Sequence, residues 1–521
     1  MIRGGGFHIL RFIFLLALIA SPKLNYAQEQ TKEIEFSADR MKYVREYRGG
    51  AQRLIGNVKF SHEGIIITCD SAYRFDNNSI EAFEHVVIRQ GDSLSIRGKK
   101  LTYDGNTKIA KISGDVICIE KDMTLTTDEL NYDVKKSFAS YYNGGKITSK
   151  NNTLTSTHGY YDSPSKLLSF RYKVKLVNPE YTMDCDTLKY NTVSRIAFFH
   201  GPTQILSKKN KLFCEKGWYN TVSENCQISK NAKIESMNNI LSSDSLYYDR
   251  KKGYGKAYSK VVLTDTIQRF NLKAELAETF EKEGRSILSK CPLLIQPFKK
   301  DSLFLKADSI VTIENRKEIK VDSTRRILDS SIIKIFHKVK FFKEDLQGSA
   351  DSAVYTYIDS CLTLFKEPIV WTDSAQATAK QIKIVSTNTK IKYMELNGNA
   401  FFISQEDSLR FNQLSGKTVK GYFVKDTLRQ IEVNGNAKAI YFLKNDKKKF
   451  VGVNQTECKD ITVRFDSKGK ADRVSFLTKP TAKITPISDV DLKAMKLKGF
   501  IWLENLKPKS AKEITDCNIN R

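Results

Sequence analysis

The chain has 521 residues and carries 85 Lys plus Arg against 59 Asp plus Glu, a formal charge of +26. That excess predicts anionic partners, namely nucleic acid, acidic glycan or a phosphorylated lipid headgroup, although lysines also solvate exposed strand faces and blunt sheet edges. Beyond the first 27 residues no stretch approaches the roughly 20 apolar residues of a spanning helix, which excludes a helical membrane protein.

Residues 1–27 read as a secretory signal peptide. Arg3 and Arg11 flank the apolar run FIFLLALIA, and Asn25-Tyr26-Ala27 is a small-residue cleavage site. An uncleaved anchor is the alternative, but the run from Ile9 to Ala20 is interrupted by Arg11 and too short to span a bilayer. Cleavage after Ala27 removes Arg3, Arg11 and Lys23 and leaves 82 basic against 59 acidic residues, a formal +23. Export argues against nucleic acid and leaves glycan or lipid as the expected anion.

From Gln28 onward the chain is repetitive. Tyr103, Tyr132, Tyr161, Tyr190, Tyr219 and Tyr248 recur every 29 residues, each followed by Asp or Asn. A fixed period of this size is the signature of a stacked repeat. Each copy contains two alternating runs. One ends in the tyrosine, as in TTDELNYD and SSDSLYYD; the other follows a Gly or Asn turn, as in IGNVKF, SGDVICI and NGNAFFI. Period-two alternation bounded by Gly, Asn and Asp predicts half-buried strands, with the Asp or Asn after each tyrosine closing a turn. The first copy begins at SADRMKY, with Asp39, Met41 and Tyr43 in the order of Asp128, Leu130 and Tyr132.

The register loosens after Asp265. About fourteen second halves are readable up to Pro486, in one long array or in two that meet near a charged segment. The expected divisions are a β-repeat array over 28–313, a charged surface insertion over 314–330, less regular repeats over 331–486, and a cap or docking tail over 487–521. In that tail Ser488 and Asp491 fit a capping box before a helical stretch, DVDLKAMKLK, stopped by Gly499. Phe500 and Trp502 follow as a terminal cover or as a partner contact.

Catalytic motifs are absent: there is no HExxH, no phosphate-binding glycine loop and no GxSxG. Asp128, Asp186 and Asp244 recur every 58 residues and would form a column open to a metal or hydrolytic reading, but turn chemistry explains them better. No catalytic residue, metal or cofactor is therefore assigned. The nine cysteines include no CxxC; most read as small buried residues, and Cys214 and Cys226 are placed to face each other across a turn near Asn220.

The apolar pattern is more informative. Val58, Phe60, Ile65, Ile67, Val86, Ile88, Leu94, Ile96, Leu101 and Val116 lie on one face of successive strands. Such a face must be buried by folding the stack into two facing sheets or a coil. A tightly closed interior would be a core; an open one would be an apolar trough for acyl chains, with a basic rim for phosphates.

The Asp-x-Leu-x-Tyr half, with ADRMKY at 38–43, alternating with Gly-Asn-Val or Gly-Asn-Ala rungs after a signal peptide, resembles the OstA-like proteins. These are the periplasmic lipopolysaccharide-transport group that includes LptA and the N-terminal domain of LptD. The resemblance implies an all-β, V-shaped or jelly-roll antiparallel stack in the periplasm, with lipopolysaccharide or a related acylated phosphoglycolipid in its groove. It further implies other β-stack proteins of the same pathway as partners, joined by strand addition, and association with the outer membrane. The open edge around Ile34 and Phe36, and the tail at Phe500 and Trp502, are the expected partner contacts. The alternative is a structural or adhesive β-solenoid that binds surface glycan.

Overall fold

The computed structural model describes residues 32–517 apart from 209, 268, 299–300, 322–323, 373, 388–389, 426 and 467–470. The expected signal peptide lies outside the described residues. The first strands are β1 (Glu35–Ser37), β2 (Arg40–Val44), β3 (Ala51–His62), β4 (Ile65–Phe75), β5 (Ser79–Gln90), β6 (Leu94–Asp104), β7 (Ile109–Glu120) and β8 (Met123–Asp133). Each pairs antiparallel with the next from β3 onward, and the pattern continues into a single 36-stranded sheet that ends at Thr481–Pro486.

Every long strand is bent in the middle. The β3–β4 register shifts between Ile55 and Val58, and Gly56 and Asn57 there have φ of 80° and 45°. Two successive left-handed residues turn the chain sharply, so Ala51–Ile55 lies in one limb and Val58–His62 in the other. The same pair of positive φ values recurs at Glu84-His85, Gly114-Asp115, Tyr172-Lys173, Lys230-Asn231 and Gly398-Asn399. Gly, Asn and Asp tolerate this conformation; other side chains pay of order 1 kcal/mol each, offset by the interior that the bend closes. The Gly-Asn turn read ahead of a strand is thus a corner inside it.

Carboxylates on neighbouring strands brace these corners. Asp39 accepts from Asn57 Nδ2 at 3.0 Å, Asp70 bonds His85 Nδ1 at 2.8 Å, and Asp244 accepts from Ser259 Oγ at 3.0 Å beside Lys260 at 3.2 Å. The Asp or Asn after each tyrosine closes the hairpin at the strand end. Asp104 accepts from the Asn106 N–H at 2.9 Å, and Asn220 from those of Val222 and Ser223 at 2.9 and 3.0 Å.

Eight layers are split at the corner into two short strands and twenty are continuous, giving 28 layers. Each of the fourteen sequence copies therefore adds two layers, and at about 4.8 Å per layer the stack is roughly 130 Å long. The ladder is not broken by the charged segment. Residues 316–321 and 324–329 form their own hairpin, while Ser309–Ile313 pairs directly with Ile332–Lys343.

The tail departs from expectation. After a single 3-10 turn at Ile487–Asp489, residues 490–498 form turns and irregular chain rather than the expected helix: the Asp491 carboxylate accepts from the Lys493 N–H at 2.9 Å, an Asx turn that competes with helix formation. The short helix, α1 (Ala511–Thr515), comes later, capped by Ser510. Between them the chain runs back along the outside of the sheet. The Gln413 amide bonds Met495 O and Leu497 N at 2.9 and 2.8 Å, and Gln376 bonds Ile501 O and Leu503 N at 2.7 and 2.8 Å. A disulfide joins Cys517 to Cys291, itself a corner residue. Cys214 and Cys226 are not paired: they lie on opposite limbs, and burial pushes their thiols up to about 12 and about 11.

Candidate functional site

The interior between the limbs is lined by alternate residues of the long strands. Both halves of each strand contribute: Leu54, Ala72, Ile80 and Leu101 from one limb meet Phe60, Ile67, Ile88 and Ile96 from the other in one cluster. Nine of the ten expected lining residues belong to it and are at most 1 % exposed: Val58, Phe60, Ile65, Ile67, Val86, Ile88, Ile96, Leu101 and Val116. Leu94, near a limb tip, is half-buried against it. The structure brings all ten together, and over residues 34–141 it closes them into a core.

The tyrosine ladder explains the closure. Each ladder tyrosine stands near the tip of one limb with its ring directed inward, beside the hairpin that the following Asp or Asn closes. In the first three the hydroxyl reaches the tip of the opposite limb three layers back, an offset of the kind that sheet twist produces. Tyr103 Oη lies 2.6 Å from His62 Nδ1, Tyr132 donates to Gln90 Oε1, and Tyr161 donates to Glu120 Oε1 at 3.2 Å. His62 Nε2 also meets the Lys32 carbonyl at 2.8 Å. A carbonyl only accepts, so Nε2 carries a hydrogen there, and Nδ1 is left to pair with the Tyr103 hydroxyl. Burial, with the nearby Glu63 and Asp104 charges, raises the Tyr103 phenol well above its ordinary value, so it remains a donor. Lys108 and Glu63 add an ion pair across the mouth at 3.2 Å.

These latches span 41, 42 and 41 residues. The same spacing of 41 from Tyr190, Tyr219 and Tyr248 lands on Ser149, Asn178 and Ser207, which are too short to cross. Tyr190 and Tyr219 make no hydrogen bond across the mouth among the described residues, and Tyr248 turns to Glu281 on its own limb. The interior is correspondingly less sealed over residues 154–246, where Leu176, Tyr181, Ile205, Leu212, Ile234 and Leu241 are only half-buried. Beyond it the mouth closes again: Arg316 bonds Asp265 from one side and Asp329, at 3.0 Å, from the other. Reading the sequence for turns missed His62, Gln90 and Glu120; the constant offset from the tyrosine ladder is the signal that could have found them.

The other expected sites are placed as follows. Ile34 does not line an edge: it precedes β1 and is folded into the interior, 2 % exposed, with its N–H bonded to Asn78 Oδ1 at 3.1 Å. Phe36 lies on β1 at the open end of the sheet, exposed, under the Arg74 guanidinium. Phe500 and Trp502 pack on Phe411, each with ring centroids 5.3 Å away, so the tail covers its own sheet. Asp128, Asp186 and Asp244 sit at corners four layers apart, about 19 Å, too far to share one ion. Among the described residues no three His, Cys, Asp or Glu side chains are grouped as metal ligands, and no helix is long and apolar enough to cross a membrane.

No curated protein matches the chain. Among solved structures it is similar to one titled as the crystal structure of LptH, the LptA homologous periplasmic component of the conserved lipopolysaccharide transport device from Pseudomonas aeruginosa. The identity is 15 %, the match covers 27 % of this chain and 93 % of that one, and the TM-score is 0.21. The family described as OstA-like protein matches residues 30–186 and 184–244. The matched stretch, residues 30–244, holds five of the six ladder tyrosines, Tyr103 to Tyr219, together with the latched interior and nearly all of the unlatched one.

Proposed function

We propose that this chain is a non-enzymatic periplasmic carrier that bridges towards the outer membrane and holds the acyl chains of lipopolysaccharide, or of a related acylated phosphoglycolipid, between its limbs. The observation that carries the reading is the one-sided apolar interior, repeated layer after layer within an OstA-like stretch. Apolar side chains facing each other across a hinged pair of sheets can part to admit acyl chains, at a gain of about 0.8 kcal/mol per buried methylene. The formal excess of basic residues suits phosphates at the rim. Partner β-stack proteins would add strands at the two ends: at β1 and β2, each paired on one side only, and at Thr481–Pro486.

The near-complete burial of Phe60, Ile67 and Ile96 favours a second reading, a closed structural or adhesive β-solenoid that binds surface glycan. One experiment separates the two. Photo-crosslinkers at Ile67, Val86 or Ile96 capture acylated glycolipid in cells if the interior carries it. Crosslinks confined to protein, with lipid-free purified material, would overturn the carrier and leave the closed solenoid.

A further inference from the structure

The mouth is uneven along the stack, and the unevenness has a pattern. Three consecutive layer pairs are latched by Tyr103, Tyr132 and Tyr161, the next three ladder tyrosines have no latch partner, and Arg316 with Asp265 and Asp329 closes the far side. Apolar side chains at equivalent repeat positions follow suit. Phe60 and Ile65 are fully buried, whereas Ile205 and Tyr181 in the same places are only half-buried. Across this middle stretch the limbs are tied at the surface. Arg250 and Glu180 form an ion pair at 3.5 Å, 58 % and 69 % exposed, with Glu224 at 3.8 Å from the same guanidinium, and Asn239 reaches Glu314 at 3.4 Å. An exposed pair of this kind is worth at most about 1 kcal/mol, so an incoming anion can replace the carboxylate.

We infer that the stretch between Tyr190 and Tyr248 is a lateral port, through which an acylated, phosphorylated lipid enters from the side. Its acyl chains lie against Leu176, Tyr181, Ile205 and Leu212, and its phosphate takes the place of Glu180 on Arg250. The inference rests on the carrier reading and adds where cargo is loaded. Charge supports this occupant over an uncharged one: Lys150, Lys166, Arg195, Lys208 and Lys211 stand on the hairpins that border the same opening. Guanidinium and phosphate meet through two parallel N–H···O bonds, a stronger arrangement than the single contact Glu180 makes.

Leu94 in the latched part and Ile205 in the port are both half-buried interior residues, so they make a matched pair of crosslinking sites. With the full exported chain and purified lipopolysaccharide as probe, a photo-crosslinker at Ile205 should label at least fivefold faster than one at Leu94. Equal rates, or Leu94 first, would overturn the port and leave the carrier standing; no lipid on either residue would overturn both. Asn178→Gln supplies the missing methylene opposite Tyr219, copying the Gln90 latch, and should slow labelling at Ile205 at least threefold with the melting temperature unchanged. Ser149→Glu opposite Tyr190, copying Glu120, serves the same purpose if the first variant folds poorly. Undiminished labelling in a folded latch variant counts against the port. Arg250→Gln should lower labelling by intact lipopolysaccharide about threefold while sparing its dephosphorylated form; equal loss with both would remove Arg250 as the phosphate seat.

Discussion

Tyr103 Oη and His62 Nδ1, 41 residues apart in sequence, meet at 2.6 Å and tie the tips of two opposite limbs. Replacing Tyr103 with Phe keeps the ring and leaves His62 Nδ1 buried without a partner, at a cost of about 1–3 kcal/mol. Hydrogen exchange of the β3 and β6 amides, which reports local opening in a stack that need not unfold as one unit, should show that loss. Tyr219→Phe, with no partner across the mouth, should change local protection by less than about 0.5 kcal/mol.

The bend in β3 sets a second expectation. Gly56 has φ +80°, and a Cβ built there would stand 2.4 Å from Asp39 Oδ2. Gly56→Val adds both left-handed strain and that clash, and should destabilise the first layers by about 2 kcal/mol or more. Limited proteolysis should then cut first near residues 51–62; an unchanged digestion pattern would show that the corner is not strained by a side chain.

Packing in the latched interior predicts a cost for truncation. Ile67 is 1 % exposed, and Ile67→Ala should cost about 2–4 kcal/mol because its neighbours on both limbs cannot collapse into the gap. Val193→Ala, at a hairpin tip and 75 % exposed, should be nearly neutral. Denaturant titrations of the two variants make the comparison.

The clasp at Arg316 carries a pH dependence. Burial alone would raise the Asp329 carboxyl, but hydrogen bonds from Ser331 and the Arg316 guanidinium outweigh it, and the net shift is downward. A carboxyl lowered in the folded state contributes stability that is complete above its ordinary value near pH 4 and is lost as pH falls through its folded value. Protection of Ser309–Ile313 against hydrogen exchange should accordingly hold from neutral pH down to about pH 4 and fall below it. Arg316→Gln should weaken that acid dependence and leave the part that the Ser331 hydrogen bonds supply.

The tail is held at its end by Cys291–Cys517 and along its length by Gln413 and Gln376. Cys517→Ser should free α1 and its buried Ile514, so that a protease removes the last residues while the array stays intact. Trp502, packed on Phe411, should redden in fluorescence only if the release travels further back.

Much of this architecture is legible in one dimension. Alternation of Val58 with Phe60, or Ile65 with Ile67, specifies which side chains face inward, because a strand's side-chain period is two whatever surrounds it. The hairpin role of Asp104 and Asn220 is local chemistry and was readable for the same reason. Gly56-Asn57 was legible as a bend but not as a bend within a strand, since a left-handed pair serves a hairpin turn and a mid-strand corner equally well. Residues 489–498 have a helical pattern, yet there the backbone polar groups of Met495 and Leu497 bond the Gln413 amide, and this tertiary partner overrides propensity.

The amino-acid order by itself determined the 29-residue period, the all-β stack, the inward apolar face and the turns after each tyrosine, because each depends on neighbours within a few residues. Only the tertiary structure decided that the same tyrosines point across the mouth, that three of them find His62, Gln90 and Glu120, and that the tail folds back to Cys291. Those contacts depend on how twist accumulates over several layers, and no local rule carries that sum.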